Sequence, residues 1–250
     1  MNFNRVQLKE QAKVIIAGSK PKVIYVGLVF LVLSFVISIL SAQLTGYTVA
    51  EMVQYMEYVY SGESYSALAY LRSIQPPAIN HIVGFALSIV YQIVSVGFVI
   101  FLINTIRNSG ACFGNLLDGF GMFLRIICLF IIEGFFVFLW SLLLFIPGFI
   151  AMYSYRQSLY LLIDHPDWSP LRCIRESKAM MKNHKGELFV MDLSFLGWAL
   201  LCGVPILGFL AEIWYFPYAS MTYTLYYEWL RGASTQQSSG SRYEAPPWEG

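Results

Sequence analysis

Apolar residues run almost without interruption through six stretches of this chain: 23–44, 79–106, 120–146, 149–163, 188–204 and 206–230. Charge, proline or glycine marks each break between them. A bilayer core takes about 20 residues of helix, so the pattern predicts six spanning helices in an all-α membrane bundle. Ahead of the first stretch, Leu8, Ala12, Ile15 and Ile16 fall on one helical stripe with Arg5, Lys9 and Lys13 around it. A basic amphipathic helix of this kind lies in the headgroup plane. The interval 45–78 is polar and tyrosine-rich. Thr48 with Glu51 reads as a capping box, and Val49, Met52, Val53, Met56 and Val59 follow at helical spacing. It predicts one or two short helices lying on the outer membrane surface. Pro147-Gly148 stops the third stretch and joins it to the fourth as an antiparallel hairpin. Ser169-Pro170 opens a basic helix over 169–185, with the serine as N-cap and proline at the first turn; Leu171, Ile174, Ser177 and Met181 trace one of its faces. Pro205 and Pro217 interrupt the last two stretches. Beyond Arg231 the composition turns polar, too poor in apolar residues to pack, which predicts one membrane domain over 1–231 and a disordered cytoplasmic tail over 232–250.

Composition sharpens this picture. Of the 250 residues 57% are hydrophobic and only 12% charged, against about 25% charged in a soluble domain. A disordered chain, a basic nucleic-acid-binding domain and a secreted disulfide scaffold are all excluded. The four cysteines show no CxxC spacing and read as reduced small hydrophobes. The first apolar run is too long for the core of a cleavable signal. Thirteen of the 16 basic residues fall at one set of span ends: Arg5, Lys9, Lys13, Lys20, Lys22, Arg107, Arg172, Arg175, Lys178, Lys182, Lys185, Arg231 and Arg242. The opposite set holds Arg72 alone, and Arg125 and Arg156 fall inside the apolar stretches. Positive loops stay inside, so both termini are expected in the cytoplasm.

Candidate chemistry is sparse. His81, His165 and His184 are far apart, and no HExxH, Walker, GxSxG or kinase signature occurs. No catalytic residue, metal site or cofactor is indicated. Glu133 and Arg156 are the ionisable groups at membrane depth, where a charge costs about 2.5–3.5 kcal/mol. Counted from the Pro147 turn at about 1.5 Å per residue, their depths differ by roughly 7–8 Å, which two long side chains can bridge. They read as a structural ion pair locking the hairpin, or as a site for an ion, a proton or a lipid headgroup. A second set lies on the cytoplasmic face: Asp164 and Asp192, with Arg175, Lys178, Lys182, His184 and Lys185 between them. It reads as a loop docked by salt bridges, or as a cradle for anionic lipid headgroups at about 1 kcal/mol per cation. A headgroup enzyme using Asp164, His165 or His184 is a third, weaker reading.

One resemblance is specific. Ile146-Pro147-Gly148, Tyr155, Asp164, the run Ser177 to Lys182 with His184-Lys185, Leu188-Phe189, Asp192 to Phe195, Gly197-Trp198, Pro217-Tyr218 and Tyr226-Tyr227 resemble the bacterial integral-membrane family known as domain of unknown function 975. Leu8-Lys9 with Ala12-Lys13 is similar to the family's opening. The resemblance implies a multi-spanning protein of the bacterial plasma membrane and supplies no activity. The expectation is a non-enzymatic protein that binds or helps move a lipid-like or small amphiphilic molecule, or supports an export system. The alternative is a structural or regulatory subunit of a membrane complex. Membrane lipids, anionic headgroups among them, and a membrane-protein partner fit either reading; nucleic acid fits neither.

Overall fold

The computed structural model describes residues 4–45, 49–203 and 207–240. Among these every regular element is helical: α1 (Arg5–Gly18), α2 (Val23–Thr45), α3 (Val49–Tyr60), α4 (Ser64–Ser73), α5 (Ala78–Arg107), α6 (Asn115–Asp118), α7 (Phe123–Leu143), α8 (Phe145–Tyr155), α9 (Ser158–Asp164), α10 (Pro170–Met180), α11 (Lys185–Leu193), α12 (Leu196–Cys202) and α13 (Leu207–Gly240). A 3-10 turn, Gly119–Met122, joins α6 to α7. Among the described residues the fold is all-α, and three segments are long and apolar enough to cross a membrane: Val23–Leu44, Ala78–Arg107 and Asn115–Leu143. The chain divides into two compact units, residues 29–92 and the remainder.

In the smaller unit the tyrosine-rich interval forms the two short helices α3 and α4, with the Tyr58 and Tyr70 rings 5.6 Å apart. The Asn80 amide donates to the Leu44 carbonyl at 2.9 Å, tying the start of α5 to the end of α2. Thr48, the expected cap, lies outside the described residues.

In the larger unit, α7 pairs with α8 and α9 in an antiparallel hairpin. Its register shows in the contacts: Ser141 lies against Gly148, Phe136 against Tyr155, and Glu133 against Ser158. Ile126 and Leu129 share a buried cluster with Leu161 and Leu162. The turn is at Leu144, whose backbone is extended, not at Pro147-Gly148 as the sequence suggests. Proline is tolerated in a first helical turn, where its missing N–H has no partner to lose, so Pro147 sits inside α8. Gly148 is required for the close approach: a Cβ there would fall 2.1 Å from the Ser141 hydroxyl and 2.9 Å from its Cα.

The same unit corrects three further expectations. The fourth apolar stretch is two helices, α8 and α9, broken at Arg156 and Gln157. The fifth is α11 and α12, broken at Ser194 and Phe195; the expected break at Pro205 lies outside the described residues. α13 runs through Pro217 and on to Gly240, nine residues past Arg231, where a disordered tail is expected. Nothing in 232–240 breaks a helix, and the next prolines are Pro246 and Pro247; residues 241–250 lie outside the described range.

Leu8, Ala12 and Ile16 of α1 are buried, and α1 packs along α13, so the stripe read as lipid-facing meets protein. Lys9 caps the break after α11: its ammonium donates to the Ser194 hydroxyl at 2.7 Å and carbonyl at 3.3 Å, over the Phe195 ring at 3.8 Å. Partial burial, with the charges of Arg5 and Lys13 nearby, pulls its pKa below the ordinary lysine range. The main core brings five helices together. Val96 and Ile100 of α5, Ile126 and Leu129 of α7, Leu161 and Leu162 of α9, Cys173 and Ile174 of α10, and Tyr227 of α13 form one cluster.

Between α5 and α6 the backbones nearly touch at Gly97. A Cβ there would lie 2.1 Å from the Leu116 carbonyl oxygen and 2.8 Å from that of Asn115. Gly97→Ala forces this contact apart and is expected to destabilise by about 1–3 kcal/mol, read as a lower melting temperature in detergent. A variant that melts with the parent would show that α5 and α6 do not approach this closely.

Candidate functional site

The fourth helix of the expected bundle is broken where its one charged residue sits. α8 ends at Tyr155, Arg156 and Gln157 carry the break, and α9 starts at Ser158. A broken helix leaves orphan N–H and C=O groups, and a single side chain from α10 takes one of each. The Ser177 hydroxyl accepts from the Gln157 N–H at 3.1 Å and donates to the Ser154 carbonyl at 2.9 Å. The Gln157 side chain is buried too; its amide nitrogen reaches the Met181 sulfur at 3.7 Å and its Oε1 has no partner.

Beside this break, α5, α7, α8 and α9 enclose a cavity of about 430 Å³. Glu133 and Arg156 both line it, with Ser95, Tyr155 and Tyr160 as further polar groups and Phe130 and Met152 as apolar wall. The two charges share the cavity, yet no described ion pair joins them. Glu133 accepts from the Ser158 hydroxyl across the hairpin, and the Arg156 guanidinium lies over the Tyr223 ring at 5.2 Å. The hairpin is thus tied by an acid and a serine, leaving the guanidinium available to the cavity. Chemically, the site offers planar cationic donors for a phosphate or carboxylate, acceptor oxygens for hydroxyl or ammonium groups, and apolar surface for a hydrocarbon body.

Asp192 has different partners from those expected. Its two oxygens accept from the hydroxyls of Tyr223 at 2.6 Å and Tyr153 at 2.7 Å. No basic residue of 169–185 reaches it among the described contacts. Nor do those cations reach Asp164. Arg107 binds Asp164 through two nitrogens, at 2.7 and 2.8 Å, while Tyr227 donates at 2.7 Å and Arg231 approaches to 3.4 Å. Glu228 completes the group, 2.6 Å from Arg107 and 2.9 Å from Arg231. Two cations and two acids close on each other at this end of the bundle. Burial disfavours the Asp164 carboxylate, but Arg107 and the Tyr227 hydroxyl outweigh it and hold its pKa below the ordinary carboxylate range.

The basic helix itself is built as its sequence predicts at the start: the Ser169 hydroxyl accepts from the Arg172 N–H, and Pro170 opens the first turn. Its buried face is Cys173, Ile174 and Ser177, with Met181 just beyond. Leu171, placed on that face by the sequence reading, is 55% exposed. Lys178 and Lys182 are exposed and Lys185 half-buried; Arg175 approaches only its neighbour Glu176, at 3.8 Å. His184 pairs with Glu187 at 2.8 Å. Arg125, inside an apolar stretch by sequence, sits in the first turn of α7 and donates to the Pro166 carbonyl. Sequence reasoning assigns no site role to Arg107, Tyr227 or Glu228, nor to Tyr153, Tyr223 or Ser158. The available signal was position: Arg107, Asp164 and Arg231 all close apolar stretches at the same end.

Comparison with known families identifies one relationship. Residues 142–234 match the family described as Protein of unknown function (DUF975). No curated protein and no solved structure matches the chain. The matched region holds Arg156, Asp164, Ser177, Asp192, Glu228 and Arg231, whereas Glu133 and Arg107 come from outside it.

Proposed function

We propose that this chain is a multi-pass protein of the bacterial plasma membrane, termini in the cytoplasm, that binds a lipid-like or small amphiphilic molecule and helps move it. The observation that carries this reading is the cavity beside the helix break, where Arg156 and Glu133 face one space without neutralising each other. Its volume lies within the range of small-molecule sites, about 300–1,000 Å³. A guanidinium placed at membrane depth is costly unless something anionic or polar meets it. The polar head of an amphiphile does so, with its apolar part along Phe130 and Met152.

The test is to purify the protein in native lipid and identify what co-purifies by mass spectrometry, for the parent and for Arg156→Gln. The parent is expected to retain an amphiphile with an anionic group. Losing one charge-assisted hydrogen-bonding partner is worth about 1.5–3 kcal/mol, so Arg156→Gln should retain it at least about tenfold less well. The same bound set in both proteins, at the same occupancy, would end the proposal.

A further inference from the structure

At the charged end of the larger unit, a second cavity of about 580 Å³ opens between α9, α10 and α13. It is separate from the Glu133–Arg156 cavity in every lining residue. We propose that it is a binding site for a phosphate-bearing ligand.

Three observations carry this. The first is the charge of the lining. His165, Lys182, His184 and Arg231 are the basic side chains that border it, and Glu176 is the one acid among its described lining residues. That acid has Arg175 3.8 Å away. Asp164 and Glu228, the acids beneath, are engaged by Arg107 and Arg231. Glu176, Asp164 and Glu228 thus have cationic partners and Glu187 pairs with His184, while Lys182, exposed at the rim, has no described anionic partner. Two further cations of the same segment, Arg172 and Lys185, add to a field that concentrates anions.

The second is the construction of the rim. Asn183 has φ +71°, the left-handed conformation that asparagine tolerates better than most residues. This reversal between α10 and α11 sets Lys182 and His184 on either side of one residue at the mouth. The His184 end is held in place, its ring by Glu187 at 2.8 Å and its carbonyl by the Tyr226 hydroxyl at 2.9 Å. A rim already ordered loses little freedom when a ligand arrives.

The third is the apolar wall. Leu161, Met180, Leu230 and the Trp168 ring line the same space. Trp168 is itself fixed, stacked on His165 with centroids 4.0 Å apart and held beneath Arg172 at 4.1 Å. Cations at the rim and hydrocarbon behind them suit a phosphate attached to an organic body. Such a phosphate can come from a lipid headgroup or from a soluble ester, since α5, which ends at Arg107, and α9, which ends at Asp164, both terminate here.

The experiment uses the full chain in nanodiscs of neutral phosphatidylcholine, titrated with glycerol 3-phosphate and followed by calorimetry. A second arm compares nanodiscs containing phosphatidic acid with nanodiscs of phosphatidylcholine alone, reading bound lipid by native mass spectrometry. Lys182→Gln is compared with Lys178→Gln, which removes the same charge from an exposed position outside the cavity. Lys182→Gln is expected to weaken phosphate binding about tenfold, the scale of one charge-assisted contact, while Lys178→Gln leaves it within about twofold. Binding in the titration identifies a soluble ester as the source; binding only in the lipid arm identifies a headgroup. Equal weakening by both variants would reduce the effect to general electrostatics and overturn the proposal, as would the absence of binding in both arms. Arg156→Gln should leave the glycerol 3-phosphate titration and the Lys182-dependent share of bound phosphatidic acid unchanged, so the two sites stand or fall separately.

Discussion

Replacing Asp164 by alanine is expected to destabilise the protein by about 3–5 kcal/mol, the range for removing one partner of a buried ion pair. The side chain is 6% exposed and receives four donors, two from Arg107 and one each from Tyr227 and Arg231. Without it, Arg107 keeps only Glu228, and the hydroxyl of fully buried Tyr227 loses its acceptor. The loss falls on three helices at once, because Arg107 ends α5, Asp164 ends α9, and Tyr227 and Arg231 lie on α13. Asparagine should recover part of the stability, since it keeps one acceptor oxygen but not the charge. The pH dependence has a definite sign. A carboxyl whose pKa is lower in the folded than in the unfolded protein contributes stability that is complete above its ordinary value, about 4. That contribution is lost as pH falls through the lower folded value. Melting temperatures of the parent in detergent should therefore fall on acidification below about pH 4, and Asp164→Ala should show a shallower fall. A variant as stable as the parent, with the same acid slope, would mean that this cluster does not hold the helix ends together.

How far this cluster was legible beforehand depends on which coordinate is asked for. Apolar stretches fix depth, and by depth alone Arg107, Asp164 and Arg231 already belonged together at one end. What they do not fix is which side of each helix faces which neighbour, and the nearest cations along the chain, those of 169–185, are not the partners of Asp164. Those cations belong to an amphipathic helix whose buried face is Cys173, Ile174 and Ser177. Arg172, Arg175 and Lys178 fall off that face by helical geometry, and a helix docked by its apolar side turns its cations outward. The helix expected over 169–185 ends at Met180, so Lys182 lies in the turn beyond it and Lys185 opens α11. The same limit applies to Glu133 and Arg156. Their similar depth was readable and both reach one cavity, but rotation about the two helices gave Glu133 to Ser158 and Arg156 to Tyr223.

Helix breaks divide in the same way. The reversal near Pro147 announces itself through proline and glycine, and only its position shifts, by three residues, to Leu144. The break at Arg156-Gln157 has neither residue to announce it. It is a tertiary feature, in which backbone groups that a continuous helix would satisfy find their partner on another helix. Local pattern is blind to such a partner, since Ser177 lies 20 residues from Gln157 along the chain.

Ser177→Ala is accordingly expected to have the second-largest effect. The hydroxyl is fully buried and serves both sides of the break, as acceptor for the Gln157 N–H and donor to the Ser154 carbonyl. Alanine leaves no cavity of consequence but strands both backbone groups where water does not reach. Each stranded group costs about 1–3 kcal/mol, and partial relaxation of the break brings the expected total to roughly 2–4 kcal/mol. Threonine keeps the hydroxyl and should restore much of the stability if its methyl is accommodated. The effect should also be local. Amide hydrogen exchange at Gln157 and its neighbours should accelerate in Ser177→Ala, while α1 against α13 keeps its protection. Because Arg156 is the residue at the break, its direction into the cavity depends on the same two hydrogen bonds. Ser177→Ala should therefore reduce retention of the proposed amphiphile, as is expected of Arg156→Gln, although Ser177 does not line the cavity. Unchanged exchange at Gln157 together with parental melting would show that the break is maintained without the serine. Retention lost alongside faster exchange would instead show that α10 acts on the Glu133–Arg156 cavity through the break.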